Sequence, residues 1–184
     1  MQVREKTFEE LKAKLSEMKT DLNKIDYLES AMKGGFSLEI NRFIWDSLSD
    51  LYEGMGMFEK AAKSMASRAG LDTSYRDKIE TYLKAGEFYA KAGKIHEAEN
   101  MFVRATRNAT VEQKAQIALA MRNIFRVSAK ALEDKGKKAH ALKFYERLIK
   151  MKLEDIEKKE IKEKLVFTYK ALGRFKDAEL LEGI

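Results

Sequence analysis

The side chains able to do covalent or acid–base chemistry are few, and their spacing suits none of the familiar reactions. The chain has no cysteine, which excludes a thiol nucleophile, a thiolate metal site and a disulfide framework. His96 is followed by Glu97, but Asn100 stands where a zinc-protease helix needs its second histidine. His96 and His140 each follow a turn glycine near the start of a helix, so exposed helix residues are the alternative to metal ligands. Gly136-Lys137-Lys138 lacks the upstream glycine and the Ser or Thr of a phosphate-binding loop. The carboxylate pairs Glu97/Glu99 and Glu154/Asp155 come without the Glu-x-x-His of a di-iron bundle. These residues predict a chain that is not an enzyme and uses neither metal nor cofactor.

Charge is the remaining resource. Charged residues make up 36% of the 184 residues, with a net charge of +6. The stretch from Lys114 to Lys152 holds eleven Lys or Arg against three acids, a density able to follow phosphates. Its aromatics, Phe125, Phe144 and Tyr145, fall on the apolar pattern and are poorly available for stacking on bases. The lean towards Lys and Glu, with scarce Gln and His, is a composition seen in hyperthermophile proteins. The charged start Met1-Gln2-Val3-Arg4-Glu5-Lys6 lacks a signal-peptide core, and the longest apolar run, Ile117 to Met121, falls far short of the roughly 20 residues that cross a bilayer. A cytoplasmic location without a transmembrane segment is the expectation.

The elements that position these charges read as helices throughout. Proline, the usual punctuation of sheets and loops, is absent. Capping boxes fit at Thr7 with Glu10, Ser74 with Asp77, and Thr110 with Gln113. Gly34-Gly35, Gly56, Gly70, Gly93, Gly136 and Gly173 read as left-handed stops. Between these marks apolar residues recur at helical spacing, as in Ile79, Tyr82, Leu83, Gly86 and Tyr89. The pattern predicts an all-α chain of about ten helices, at 7–19, 21–33, 37–55, 57–69, 74–92, 94–108, 111–135, 137–152, 155–172 and 174–182. Short connections make consecutive helices antiparallel neighbours.

The strongest signal is internal repetition. Trp45-x-x-Leu48, Tyr52, Gly56 and Ala61-x-x-x-Met65 form one copy. Tyr82-x-x-Ala85-Gly86-x-x-Tyr89, Gly93 and Ala98-x-x-x-Phe102-x-x-Ala105 form the next. Phe125-x-x-Ser128-Ala129-x-x-Leu132, Gly136 and Ala141-x-x-x-Tyr145-x-x-Leu148 form a third, and Leu165, Tyr169, Gly173 and Ala178 a truncated fourth. Small residues such as Gly86, Ala61 and Ala98 let helix backbones approach, while Tyr82, Tyr89 and Phe102 fill the space around them. Over about residues 40–184 this pattern resembles the tetratricopeptide repeat family. The alanines Ala61, Ala98, Ala141 and Ala178 lie 37, 43 and 37 residues apart, and no closing proline is present, so the helices are longer than that family's standard. The longer repeats and the phrase from Ala85 to Lys94 look like SNAP-type adaptors.

The resemblance implies one tetratricopeptide-like domain over 1–184, wound as a right-handed superhelix. Residues 1–36 would be a degenerate helix pair, and 37–184 about four pairs with the last one truncated. It further implies a concave groove lined by the first helix of each pair. By register the groove residues are Asp46, Asp50 and Glu53, then Glu80, Glu87 and Lys91, then Asn123, Arg126 and Lys130. Asp46 and Asp50 carry the wrong sign for gripping a chaperone's C-terminal carboxylate. The expectation is therefore a scaffold or adaptor taking a peptide or helical protein partner, preferably basic. Two alternatives stand beside it: nucleic-acid or anionic-surface binding through 114–152, and self-association of a structural protein through the short apolar end Leu180-Leu181-Glu182-Gly183-Ile184. The chain would then be a monomer or a homodimer.

Overall fold

A computed structural model describes residues 3–183. Ten helices and no strand occupy them: α1 (Phe8–Glu17), α2 (Asp21–Ala31), α3 (Leu38–Gly54), α4 (Phe58–Gly70), α5 (Tyr75–Lys91), α6 (Ile95–Thr106), α7 (Val111–Asp134), α8 (Lys138–Leu148), α9 (Asp155–Ala171) and α10 (Phe175–Glu182). The fold is all-α, and each helix from α3 onward packs on its sequence neighbour as the short connections require.

Two kinds of junction alternate along the chain. After α3, α5, α7 and α9 the chain turns through Gly56, Gly93, Gly136 and Gly173, each with φ between 70° and 77°. In every case the residue after the glycine donates its N–H to the carbonyl five residues back, as in Met57 to Tyr52 (2.8 Å) and Lys94 to Tyr89 (2.9 Å). Side chains with a Cβ are strained at such a φ, so glycine is required at these four turns. The other junctions rely on side chains at the start of the next helix. Ser37, Ser74 and Thr110 accept from the N–H three residues on, each worth about 1 kcal/mol.

Three expected details need correction. Gly34, Gly35 and Gly70 are not left-handed. Just past α4 the Leu71 carbonyl is instead met by Arg42, whose guanidinium donates to it at 2.7 and 3.0 Å. At Gly34 the constraint is space, since a Cβ there would lie 2.8 Å from the Phe36 ring. The boxes at Thr7 and Thr110 are complete, but at Ser74 only the serine half forms. Aspartate is one methylene shorter than glutamate, and Asp77 makes no return bond among the described residues. Finally, α8 ends at Leu148 rather than near residue 152, because the chain must run out to Glu154, whose N–H donates to the Glu157 carboxylate that opens α9 (3.2 Å).

The core is a continuous band of small residues facing large ones. Ala61, Ala98, Ala141 and Ala178 are all completely buried. Gly86 of α5 lies against the Phe102 ring of α6 so closely that an added Cβ would sit 2.6 and 2.8 Å from ring carbons. Phe102 in turn meets Phe125 of α7 edge-on at 5.7 Å between centroids, and Phe125 meets Phe144 of α8 at 5.2 Å. These rings tie four consecutive helices into one packed line. Edge-to-face pairs add about 0.5–1.5 kcal/mol each beyond the area they bury.

A buried ionic knot secures the same array further towards the N-terminus. The Asp72 carboxylate is wholly inaccessible and is held by Arg42 (3.6 Å), by Arg68, and by the Thr81 hydroxyl, which donates to it at 2.8 Å. It pins α3, α4 and α5 together at one point. Removing one partner from such a group leaves a charge stranded, at a cost of about 3–5 kcal/mol.

Gly86→Ala tests the aromatic line. At an exposed helical site this change stabilises by about 1 kcal/mol, but here the trapped Phe102 ring turns it into a loss of about 1–3 kcal/mol in chemical denaturation. A more stable variant would show that the contact is not tight.

Candidate functional site

The first helices of three successive pairs, α3, α5 and α7, carry all nine residues singled out by register, and the structure gives the acidic ones partners. Asp46 binds Arg68 (3.1 Å), Asp50 binds Lys84 (3.5 Å), and Glu53 and Glu87 both bind Lys91 (3.2 and 2.9 Å). Glu80 pairs with Arg76 on the exposed side of α5 (3.1 Å). Arg126 is bound by Glu157 (2.6 Å), which also takes Arg122 (3.3 Å). Asn123 and Lys130 are exposed. The five acids of the groove's first half are thus engaged by four cations, with Lys91 shared between Glu53 and Glu87. Exposed pairs add only about 0–1 kcal/mol each to stability, yet they weaken the field that would draw in a basic partner. One residue at a time, the sequence could not show that Arg68, Lys84 and Lys91 lie within reach of these acids.

The pairs also cross-tie adjacent first helices. Asp50–Lys84 and Glu53–Lys91 join α3 to α5, while Arg122–Glu157, Arg126–Glu157 and Glu133–Lys164 (3.3 Å) join α7 to α9. Among the described residues no ion pair joins α5 to α7. These two helices pack directly on one another, and beside their contact lies a cleft of about 410 Å³, walled by Ile124, Val127, Ala131 and Leu132 of α7 and by Phe58 at the start of α4. Its size lies within the range of ordinary ligand clefts. Val127 is 67% exposed.

Three of the nine predicted residues, Glu87, Lys91 and Asn123, line this cleft; the other six lie outside it. Phe58, Ile124, Val127 and Lys135 were missed. The signal for Val127 was present, because Phe125, Ser128, Ala129 and Leu132 take the buried register and leave it as an apolar residue off the core face. Phe58 had no comparable sign, since only the fold brings α4 to α7.

The rim of the cleft is cationic. Lys91 and Lys135 flank the Phe58 ring at 5.8 and 6.0 Å from its centre. Burial works to lower the Lys91 pKa, but hydrogen bonds and charge from Glu87 and Glu53 outweigh it and hold the ammonium above its ordinary value. Lys91 therefore stays charged, partly engaged with its two carboxylates.

The remaining candidates are placed as follows. His96 is exposed, 3.8 Å from Glu99, and His140 lies over Gly93, its ring 3.0 Å from where a Cβ would stand. Among the described residues no cluster of three or more His, Asp or Glu is arranged to hold a metal ion. Within the basic stretch, Arg122 and Arg126 are held by Glu157 and Arg147 by Glu99, while Phe125, Phe144 and Tyr145 are buried. No helix among the described residues is long and apolar enough to cross a membrane.

No family model matches the chain, and no curated protein matches it. Among solved structures it is similar to the crystal structure of BtubC (BKLC) from P. vanneervenii, at 15% identity and a TM-score of 0.39, over 94% of this chain and 76% of that one. A likeness of that degree says nothing about what this chain binds.

Glu157, the anchor between α7 and α9, supplies a pH test. The Glu154 N–H, chiefly, holds its pKa below 4.5; burial opposes it, and Arg126 and Arg122 add to the lowering. A depressed carboxylate contributes stability above its unfolded pKa and loses it as pH falls through the folded value. Side-chain NMR is expected to place the Glu157 midpoint below 4.5, moving up towards it in Arg126→Ala. A midpoint at or above 4.5 would show that the ties to α7 and Glu154 are absent in solution.

Proposed function

We propose that this chain is a non-catalytic interaction module of the tetratricopeptide type, acting as a scaffold or adaptor that takes a peptide or helical segment of a protein partner beside α5 and α7. One observation carries the reading: beside the contact of α5 with α7 the surface holds a cleft with an exposed apolar wall around Val127. Burying side chains against such a wall contributes about 1.5–3 kcal/mol for each anchor residue. Charge around it then sets orientation and association rate.

Kinship with tetratricopeptide proteins is supported by the alternation of glycine turns with side-chain caps, and by the four buried alanines at matching places. The preference for a basic partner loses its basis, because the acids that suggested it are engaged within the chain. Nucleic-acid binding through 114–152 is disfavoured by the three engaged arginines and by the burial of the aromatics. Self-association keeps one supporting observation, the exposed Phe167, Phe175 and Leu180 on α9 and α10. Light scattering tests it: a homodimer that becomes monomeric in Phe175→Glu supports that second reading, and a monomer at high concentration removes it.

For the cleft, a photo-reactive residue at position 127, in cells of the source organism, is expected to give a discrete protein adduct that the same group at position 143 on α8 does not, and that Ile124→Glu removes. Equal labelling from both positions would contradict the assignment.

A further inference from the structure

The apolar cleft does not end at Lys135. It runs on into a second depression of about 420 Å³, with Phe58, Lys91, Leu132 and Lys135 shared between the two and Lys60 and Lys137 added on the far side. The charges here are unequal. Glu59, the acid that lines this depression, is held by Lys63 (2.9 Å) and Lys94 (3.6 Å), and Glu53 and Glu87 are held by Lys91. Among the described residues Lys60, Lys135 and Lys137 have no carboxylate partner, Lys60 and Lys135 lying instead over the Tyr52 and Phe58 rings. They sit where three different pieces of chain meet: Lys60 in the first turn of α4, and Lys135 and Lys137 on either side of the Gly136 turn.

We infer that the segment held in this cleft is acidic and amphipathic, with apolar side chains that lie on the Ile124–Val127 wall and side-chain carboxylates that meet Lys60, Lys135 and Lys137. The inference rests on the reading of the cleft given above and reverses the charge expected of the partner. The polarity follows from what is left after internal pairing: a basic segment would meet three uncompensated ammonium groups, whereas an acidic one would compensate them and be steered in over a Debye length of about 8–10 Å. The geometry also sets a spacing. Val127 and Lys135 are eight positions apart on α7, or about 12 Å along the axis, so the partner's apolar anchor and its first acid are separated by about two helical turns or about four extended residues. Because the lysines surround an aromatic ring beside an apolar wall, both halves of the recognition are needed together.

The test uses the full chain and a displayed library of random peptides with blocked C-termini, so that only side-chain carboxylates are available. Peptides are selected on the wild type and counter-selected on Val127→Glu. The expected outcome is enrichment of Asp and Glu beside an apolar anchor, with selected peptides binding Lys60→Glu/Lys135→Glu/Lys137→Glu at least about tenfold more weakly and losing affinity as salt rises. Circular dichroism of each variant shows that it remains folded. Enrichment of neutral or basic sequences that still depend on Val127 overturns the inference while leaving the cleft as a binding site. Selection of nothing that Val127→Glu removes overturns both. Displacement of selected acidic peptides by a homopolymeric RNA at equal charge concentration also overturns the inference, because it would mark the lysines as a general anion surface.

Discussion

The contact on which the rest of the array depends is that of a flat ring on a residue with no side chain. Phe102 can lie across α5 only because position 86 is glycine, and from there the edge-on rings of Phe125 and Phe144 carry the packing into α7 and α8. Interiors are packed near crystalline density, so a line of rings leaves little freedom in how these helices are set against one another. The conformational cost of glycine within a helix is offset by that approach. At Gly56, Gly93, Gly136 and Gly173 the same residue serves a different end, as the means of entering a left-handed turn.

Given that frame, adjacent first helices are joined in two ways, by direct packing of α5 on α7 and by side-chain ion pairs on either side of it. Neighbouring first helices are laced together on both sides of the α5–α7 seam, by Asp50 and Glu53 on one side and by Glu157 and Glu133 on the other. Between α5 and α7 the helices pack directly, with Ile124 and Val127 flanking the cleft beside that contact and no ion pair across it among the described residues. The cleft coincides with the longest helix, α7, and with the wider 43-residue interval between Ala98 and Ala141. An exposed apolar wall bordered by lysines adds little to the stability of an isolated chain, and that is the ground for the partner site proposed above.

The helices and their order were legible in the sequence because each rests on local chemistry: a hydroxyl cap at Thr7 or Thr110, a glycine at 93 or 136, an apolar period of 3.6 between them. The buried alanines were legible because they recur. The charge of the groove was not, since a carboxylate is described by what lies within about 4 Å of it in space. Asp46, Asp50 and Glu53 read as free acids until the fold brings Arg68, Lys84 and Lys91 to them. Asp72 was missed for the same reason: in sequence it is one more helix-end acid before a Thr-Ser pair, and only the packed structure makes it the buried centre of three helices.

The direct measure of whether the ring on glycine governs this packing is a double-mutant cycle between Gly86→Ala and Phe102→Leu, read by chemical denaturation. If the ring is what the added methyl meets, the alanine substitution destabilises the parent and becomes neutral or stabilising once leucine replaces the ring, a coupling of about 1–3 kcal/mol. Two effects that add to within about 0.5 kcal/mol would contradict the account, because they would mean that residues 86 and 102 do not share a contact.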